Sequence, residues 1–420
     1  MQSSRAVKAL DLISRYKTVR DRSASVCAPL SIEDHAVQTM PDASPAKWHL
    51  GHTTWFFETF VLAPLGQPPH DERWSVVFNS YYDGAGPRID RGRRGLVSRP
   101  SLDEVHAYRA EVDDRIANAL EHGAIDDAAA AVIELGLHHE QQHQELMITD
   151  LKHALAMQPL QPAYRDDLDR TGGTVDSLQW EELAGGVVEI GAGERGFAFD
   201  NERPRHRVVV EPYRLACRPV SNAEVLGFIA EGGYTEPRLW LADGFAAATR
   251  EGWRAPLYWQ HDGAWVTYDL TGVRAIDPTE TACHLSYFEA DAIARWAGAR
   301  LPTEAEWEHA AAELRPREGH WADDDRLHPR AASGSGPGLA QMFGDVWEWT
   351  QSAYAAYPGF RTLAGALGEY NGKFMSGQMT LRGGSCFTPR GHVRATYRNF
   401  FAPSARWQMT GVRLAADWRN

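Results

Sequence analysis

Two histidine-bearing segments constrain this chain more than any other feature. The run His138-His139-Glu140-Gln141-Gln142-His143-Gln144-Glu145-Leu146-Met147 sets His139 and His143 four residues apart in a helical pattern. Residues i and i+4 lie on one helical face, so both imidazoles can point at one ion. Upstream, Lys47-Trp48-His49-Leu50-Gly51-His52-Thr53-Thr54-Trp55-Phe56-Phe57-Glu58 offers a third imidazole from a second helix. Three histidines without a fourth protein ligand make an open, catalytic type of metal site, because a structural site would be closed. His49 and His52 are three residues apart, and spacing alone does not choose between them. His138 must point about 100° away from His139 on a helix, so a structural or supporting place is expected for it.

The first 160 of the 420 residues read as helices. Val7, Leu10, Ile13, Tyr16 and Val19 recur at spacing three as an amphipathic stripe. Ser101-Leu102-Asp103-Glu104 is a capping box, followed by the apolar face Leu102, Val105, Tyr108, Val112 and Ile116. A further helix from about Ile125 to Met157 carries His139 and His143, with a break expected near Gly136. Inward-facing ligands on long helical segments predict a four-helix bundle with the site in its core, over residues 1–160. Residues 161–178, with Pro162 and the charged run Arg165-Asp166-Asp167, read as a linker. From 179 to 420 the texture changes to short strands, such as 187–190 and 207–210, among glycine- and proline-rich loops. Two helices stand out there, over 221–229 and 286–297, so the whole is an α+β multidomain chain.

Composition excludes several functions. A net charge of −13 argues against a nucleic-acid partner, which needs clustered basic surface. No apolar run approaches the ~20 residues of a membrane span, so no membrane partner is expected. The N-terminal residues lack the apolar core and cleavage site of a secretion signal. Cys27, Cys217, Cys283 and Cys386 are scattered without a CxxC, as expected of reduced thiols in a cytoplasmic protein. His139-Glu140-Gln141-Gln142-His143 matches the HExxH of zinc peptidases, whose glutamate is a general base. Those enzymes take their third ligand downstream, whereas the candidates in this chain lie upstream, so the peptidase reading is a distant one.

Leu50-Gly51-His52 with His139-x-x-x-His143 resembles the DinB-like bundle of the ergothioneine sulfoxide synthases. The second half resembles their formylglycine-generating-enzyme/sulfatase-modifying domain, a C-type-lectin-like fold. The phrases that carry this are Arg300-Leu301-Pro302-Thr303-Glu304-Ala305-Glu306-Trp307-Glu308, Gly344-Asp345-Val346-Trp347-Glu348-Trp349 and Leu381-Arg382-Gly383-Gly384-Ser385-Cys386. The resemblance spans roughly residues 8 to 416 and favours His52 over His49 as the third ligand. It implies a non-heme iron(II), O2-dependent oxidoreductase with small-molecule substrates. Such enzymes join a thiol, cysteine or γ-glutamylcysteine, to carbon 2 of the imidazole of hercynine (Nα-trimethylhistidine), giving a sulfoxide for ergothioneine biosynthesis. Selenoneine synthases share these motifs and take a selenosugar, so a carbon–selenium bond is the alternative product. A non-catalytic binding module is a more distant alternative. Iron itself comes from the resemblance, since imidazoles suit several transition metals.

The same resemblance assigns further residues. Tyr81 and Tyr82, in Asn79-Ser80-Tyr81-Tyr82, would supply a proton or hydrogen bond near the metal, as weak acids of pKa near 10. Arg88 and Arg91, in the basic loop 86–95, would clamp the donor's carboxylate through bidentate guanidinium contacts. Gln142 would hydrogen-bond the hercynine imidazole. Asn399, Phe400 and Phe401 match the segment that contacts hercynine, whose quaternary ammonium favours aromatic faces. Cys386, without a second cysteine at a recognisable spacing, reads as a packing residue.

Overall fold

The computed structural model describes residues 2–170, 172–175, 177–332 and 338–418, with side chains from Leu10 onward. They divide into two compact units: Met1–Pro159 with Leu363–Tyr370, and Leu160–Thr362 with Asn371–Asn420. The segment 161–178 lies in the second unit. There the Arg165 guanidinium pairs with Asp167 and Asp325, and the Tyr164 N–H donates to the Leu270 carbonyl.

The first unit is built from helices α1 (Gln2–Cys27), α2 (Ala46–Phe57), α3 (Trp74–Phe78), α4 (Leu102–Glu121) and α5 (Asp127–Met157). On α1 the buried face is Tyr16, Val19, Val26 and Cys27, whereas Leu10 is 67% exposed. Apolar spacing marks a face without telling whether a neighbour covers it; the side chain of Val7 lies outside the described residues. Helix α4 starts at the expected capping box, in which Ser101 Oγ accepts from the Glu104 N–H and the Glu104 carboxylate from the Ser101 N–H.

Helix α5 runs unbroken through Gly136, contrary to the expected break. The glycine serves close approach instead: a Cβ there would sit 2.5 Å from the Phe57 ring of α2. Gly51 does the same from the α2 side, where a Cβ would overlap the Phe78 ring. Every residue of α2 is buried, which makes it the central element of the unit.

Charge is buried beside these apolar contacts. Glu140 on α5 is fully buried and accepts from Arg20 of α1 (2.9 Å), Ser23 (2.6 Å) and Arg109 of α4. Arg20 also donates to Asp113 of α4 (2.6 Å) and Thr54 of α2 (3.0 Å), so one ionic knot ties four helices together. Burial alone would raise the Glu140 pKa, but the Arg109 and Arg20 guanidiniums hold it at about 2.

The second unit holds helices α6 (Asn222–Ala230), α7 (Ala242–Glu251), α8 (Tyr287–Trp296) and α9 (Glu304–Ala311). The sequence reading missed α7 and α9, although Thr303 and Glu306 form a capping box at the start of α9. A four-stranded sheet orders Asn399–Phe401, Met379–Arg382, Trp347–Ala353 and Thr410–Gly411, the last pair parallel. The expected strands at 187–190 and 207–210 pair antiparallel as Gly186–Ile190 with His206–Val210. The phrases quoted above stitch this unit together. Glu348 accepts from Arg413 (2.8 Å) and from the Trp307 indole (2.6 Å), and Arg382 donates to Glu308 (2.9 Å). Each of these residues is buried.

Two outcomes follow. Gly51→Ala forces the Phe78 ring out of place and should lower stability by about 1–3 kcal/mol in denaturant unfolding; native-like stability would mean the Phe78 pocket has slack. Glu140→Ala strands two buried guanidiniums and should lower it by about 3–5 kcal/mol. A Glu140→Ala protein as stable as the native would show that the knot holds nothing.

Candidate metal centre

Helices α2 and α5 bring His52, His139 and His143 together, with one ring nitrogen of each within 4.8 Å of the others. His52 Nε2 and His139 Nε2 are 3.2 Å apart, close to the separation of about 3 Å for adjacent nitrogens on an ion ~2.1 Å from each. The His52 Nδ1–H donates to the Phe78 carbonyl at 2.6 Å, which leaves Nε2 bare toward the cluster. That ring is sandwiched by Trp48 (4.7 Å between centroids, 10°) and Trp55 (5.7 Å, 20°), so it cannot swing away. Among the described residues buried His139 Nδ1 has no hydrogen-bond partner.

All three imidazoles are buried. Burial first, and the neighbouring His139 next, hold His52 and His143 neutral well below the ordinary histidine range. Burial likewise pulls His139 down to about 3. Neutral imidazoles are the form that binds metal. Glu140, the carboxylate of the HExxH pattern, is committed to Arg20, Arg109 and Ser23. It is therefore unavailable as the general base that a peptidase needs. The donor set is three imidazoles without a carboxylate or thiolate, which fits a transition metal with open positions.

The other candidate residues are placed as follows. Tyr82 is fully buried against Phe60 and Trp55, and burial, then the phenols of Tyr81 and Tyr370, raises its pKa well above 10. Tyr81 is half-buried and packs against Tyr82 with centroids 4.7 Å apart and the rings tilted by 30°. Arg88 is exposed and pairs with Asp83 (3.1 Å), and exposed Arg91 donates to the Asp42 carbonyl. Gln142 is half-buried on α5. In the second unit the Asn399–Phe401 strand runs beside Met379–Arg382, with the Phe400 ring stacked on Tyr354 (4.0 Å, 11°) and Phe401 edge-on to Trp407 (6.4 Å). All four cysteines are buried and none forms a disulfide.

Two features escaped the sequence reading, and a third was left open by it. Arg94, from the same loop as Arg88 and Arg91, is the buried one: it lies 3.4 Å over the Trp48 ring and donates to Ser44 and Ser80. Burial, reinforced by Arg91, lowers its pKa to about 9. Segment 363–370 folds with the helical unit, where Tyr370 packs 5.6 Å from His139 and Glu369 accepts from the Asp83 and Gly84 N–H groups. Nothing in the local sequence of 363–370 signals that place. His49 is enclosed next to the cluster, a position that the i, i+3 spacing had left open.

Comparison with known proteins finds both halves of the chain in known families. Residues 15–147 match the model of the DinB superfamily, and residues 179–418 that of the sulfatase-modifying factor enzyme 1-like domain. The chain is 33% identical to the hercynine oxygenase of Mycolicibacterium thermoresistibile, over 90% of this chain and 88% of that protein. It is 27% identical to ergothioneine biosynthesis protein 1 of Schizosaccharomyces pombe, over 53% of this chain and 28% of that one. It is 29% identical to the formylglycine-generating enzyme of Streptomyces coelicolor, over 56% and 88% respectively. No described helix is long and apolar enough to cross a membrane. With a DinB-superfamily match, a sulfatase-modifying-factor match and a third of its residues identical along nine-tenths of its length, this chain belongs to the hercynine oxygenase family of enzymes.

Proposed function

We propose that this chain is a non-heme iron(II), O2-dependent oxidoreductase of the cytoplasm that joins a chalcogen donor to carbon 2 of the hercynine imidazole. The product is a hercynyl-cysteine or hercynyl-γ-glutamylcysteine sulfoxide for ergothioneine biosynthesis. One observation carries this reading: three buried, neutral imidazoles converge on the two helices of a chain that belongs to the hercynine oxygenases. His52, His139 and His143 would hold the metal, which when bound supplies the O2 activation that redox-inert zinc cannot.

The chain's own residues supply binding and proton control. Tyr82 is sealed from water and keeps its proton over the working pH range. Tyr81, half-buried beside it, is the phenol able to exchange a proton with solvent, and we assign it the donor's part. Arg88 and Arg91 would meet the donor's carboxylate by giving up the Asp83 carboxylate and the Asp42 carbonyl that now hold them. Gln142 would accept or donate at the hercynine ring. Phe400 and Phe401 offer ring faces to a quaternary ammonium, which cannot be hydrogen-bonded, and Asn399 offers an amide.

The test is a donor competition. Protein reconstituted with iron(II) receives hercynine and O2, then cysteine, γ-glutamylcysteine or a selenosugar, and products are read by mass spectrometry. A hercynyl sulfoxide adduct with one of the two thiols is the expected result. A selenium adduct with both thiols ignored would replace it with selenoneine synthesis. Absence of product from every donor would overturn the substrate assignment.

A further inference from the structure

His49 lies on α2 one turn before His52, and both of its ring nitrogens are engaged. Nδ1 is 2.7 Å from His143 Nδ1, and Nε2 is 3.1 Å from Asp150 Oδ2. Asp150 stands on α5 seven residues beyond His143 and so on the same face. Its Oδ2 also accepts the Ser44 backbone N–H at 2.8 Å. His49, Asp150 and His143 are all buried, which makes the hydrogen bonding among them obligatory.

Valence then places each proton. A carboxylate only accepts, so the proton between His49 and Asp150 belongs to His49 Nε2. A neutral imidazole carries one proton, so with that proton on Nε2 toward Asp150 the His49 Nδ1 is a lone pair. The 2.7 Å contact between two Nδ1 atoms must therefore carry the proton of His143. With its Nδ1 protonated, His143 has only Nε2 left as a ligand atom, as His52 has through the Phe78 carbonyl. His49 itself has no nitrogen to spare, which excludes it as a fourth ligand.

We propose that Asp150 and His49 form a positioning relay, carboxylate to imidazole to imidazole, that fixes His143 in its Nδ1–H tautomer and presents its Nε2 to the His52–His139 cluster. The relay rests on the reading of His143 as a metal ligand. It gives the three ligands unequal support: a backbone carbonyl for His52, a carboxylate-backed imidazole for His143, and, among the described residues, no partner for His139 Nδ1. Partners of this kind orient a ligand and raise its basicity, and losing one typically weakens metal binding about 10–100-fold.

The test begins with the native protein labelled with [15N]histidine. Long-range 1H–15N spectra, metal-free and with zinc(II) as a diamagnetic probe, should show His143 as the Nδ1–H tautomer and His49 as the Nε2–H tautomer. A proton on His49 Nδ1 would overturn the relay, whatever happens to the variants. Zinc(II) affinity against a competing chelator should fall about 10–100-fold in His49→Leu and in Asp150→Ala. His49→Gln, which keeps an acceptor for His143 and a donor for Asp150, should recover most of that loss. Equal affinity in native and His49→Leu proteins would overturn the proposal. Native protein that bound no zinc would instead overturn the metal reading, and the metal-free spectra would still decide the relay.

Discussion

Three imidazoles can crowd within a few ångströms only if none is an imidazolium, and the helical unit is organised around that condition. Burial removes water from the rings and so disfavours the imidazolium form. The nearest carboxylate in sequence, Glu140, neutralises two arginines rather than the histidines. The ionic knot at Glu140 and the imidazole cluster are thus segregated on neighbouring faces of one helix. That segregation leaves the Glu140 carboxylate to the knot, which locks the four helices it joins. Gly136 lets α5 approach α2 closely enough for ligands from both to meet, and Gly51 lets Phe78 of α3 pack against α2.

The same logic explains what was legible in the sequence. The i, i+4 pair on α5 and the histidine-bearing α2 could be read because helical periodicity converts spacing directly into direction. The choice between His49 and His52 could not, since residues three apart can both face inward. The structure separates them by partners: His52 has a carbonyl behind it and a bare nitrogen in front, whereas His49 is occupied at both nitrogens. The expected break at Gly136 did not appear, because glycine's lack of a side chain is used for packing against Phe57 and not for backbone freedom. Tyr370 illustrates the limit of local reading. It lies more than two hundred residues from His139 along the chain, yet its ring packs beside that histidine, and no periodicity links two such positions.

In the second unit the recurring phrases turn out to be mutual partners. Glu348 of one phrase holds Trp307 of another, and Arg382 of a third holds Glu308. A domain with short strands and much irregular backbone has few ladder hydrogen bonds to define it, so buried charge pairs and tryptophans specify the fold in their place. These residues carry the family likeness for structural reasons. The proposed ligand-binding group, Asn399 to Phe401, lies on an outer strand of the four-stranded sheet, supported by Tyr354 behind Phe400.

The central claim is that His52, His139 and His143 together hold one redox-active metal with open positions. X-ray absorption at the iron edge, on protein loaded anaerobically with iron(II), tests it most directly. The account predicts one iron per chain, an imidazole multiple-scattering pattern that fits three rings, and further light scatterers that exchange when substrate is added. Iron that fails to bind, or an edge that fits four fixed protein ligands with a carboxylate or sulfur among them, would contradict it.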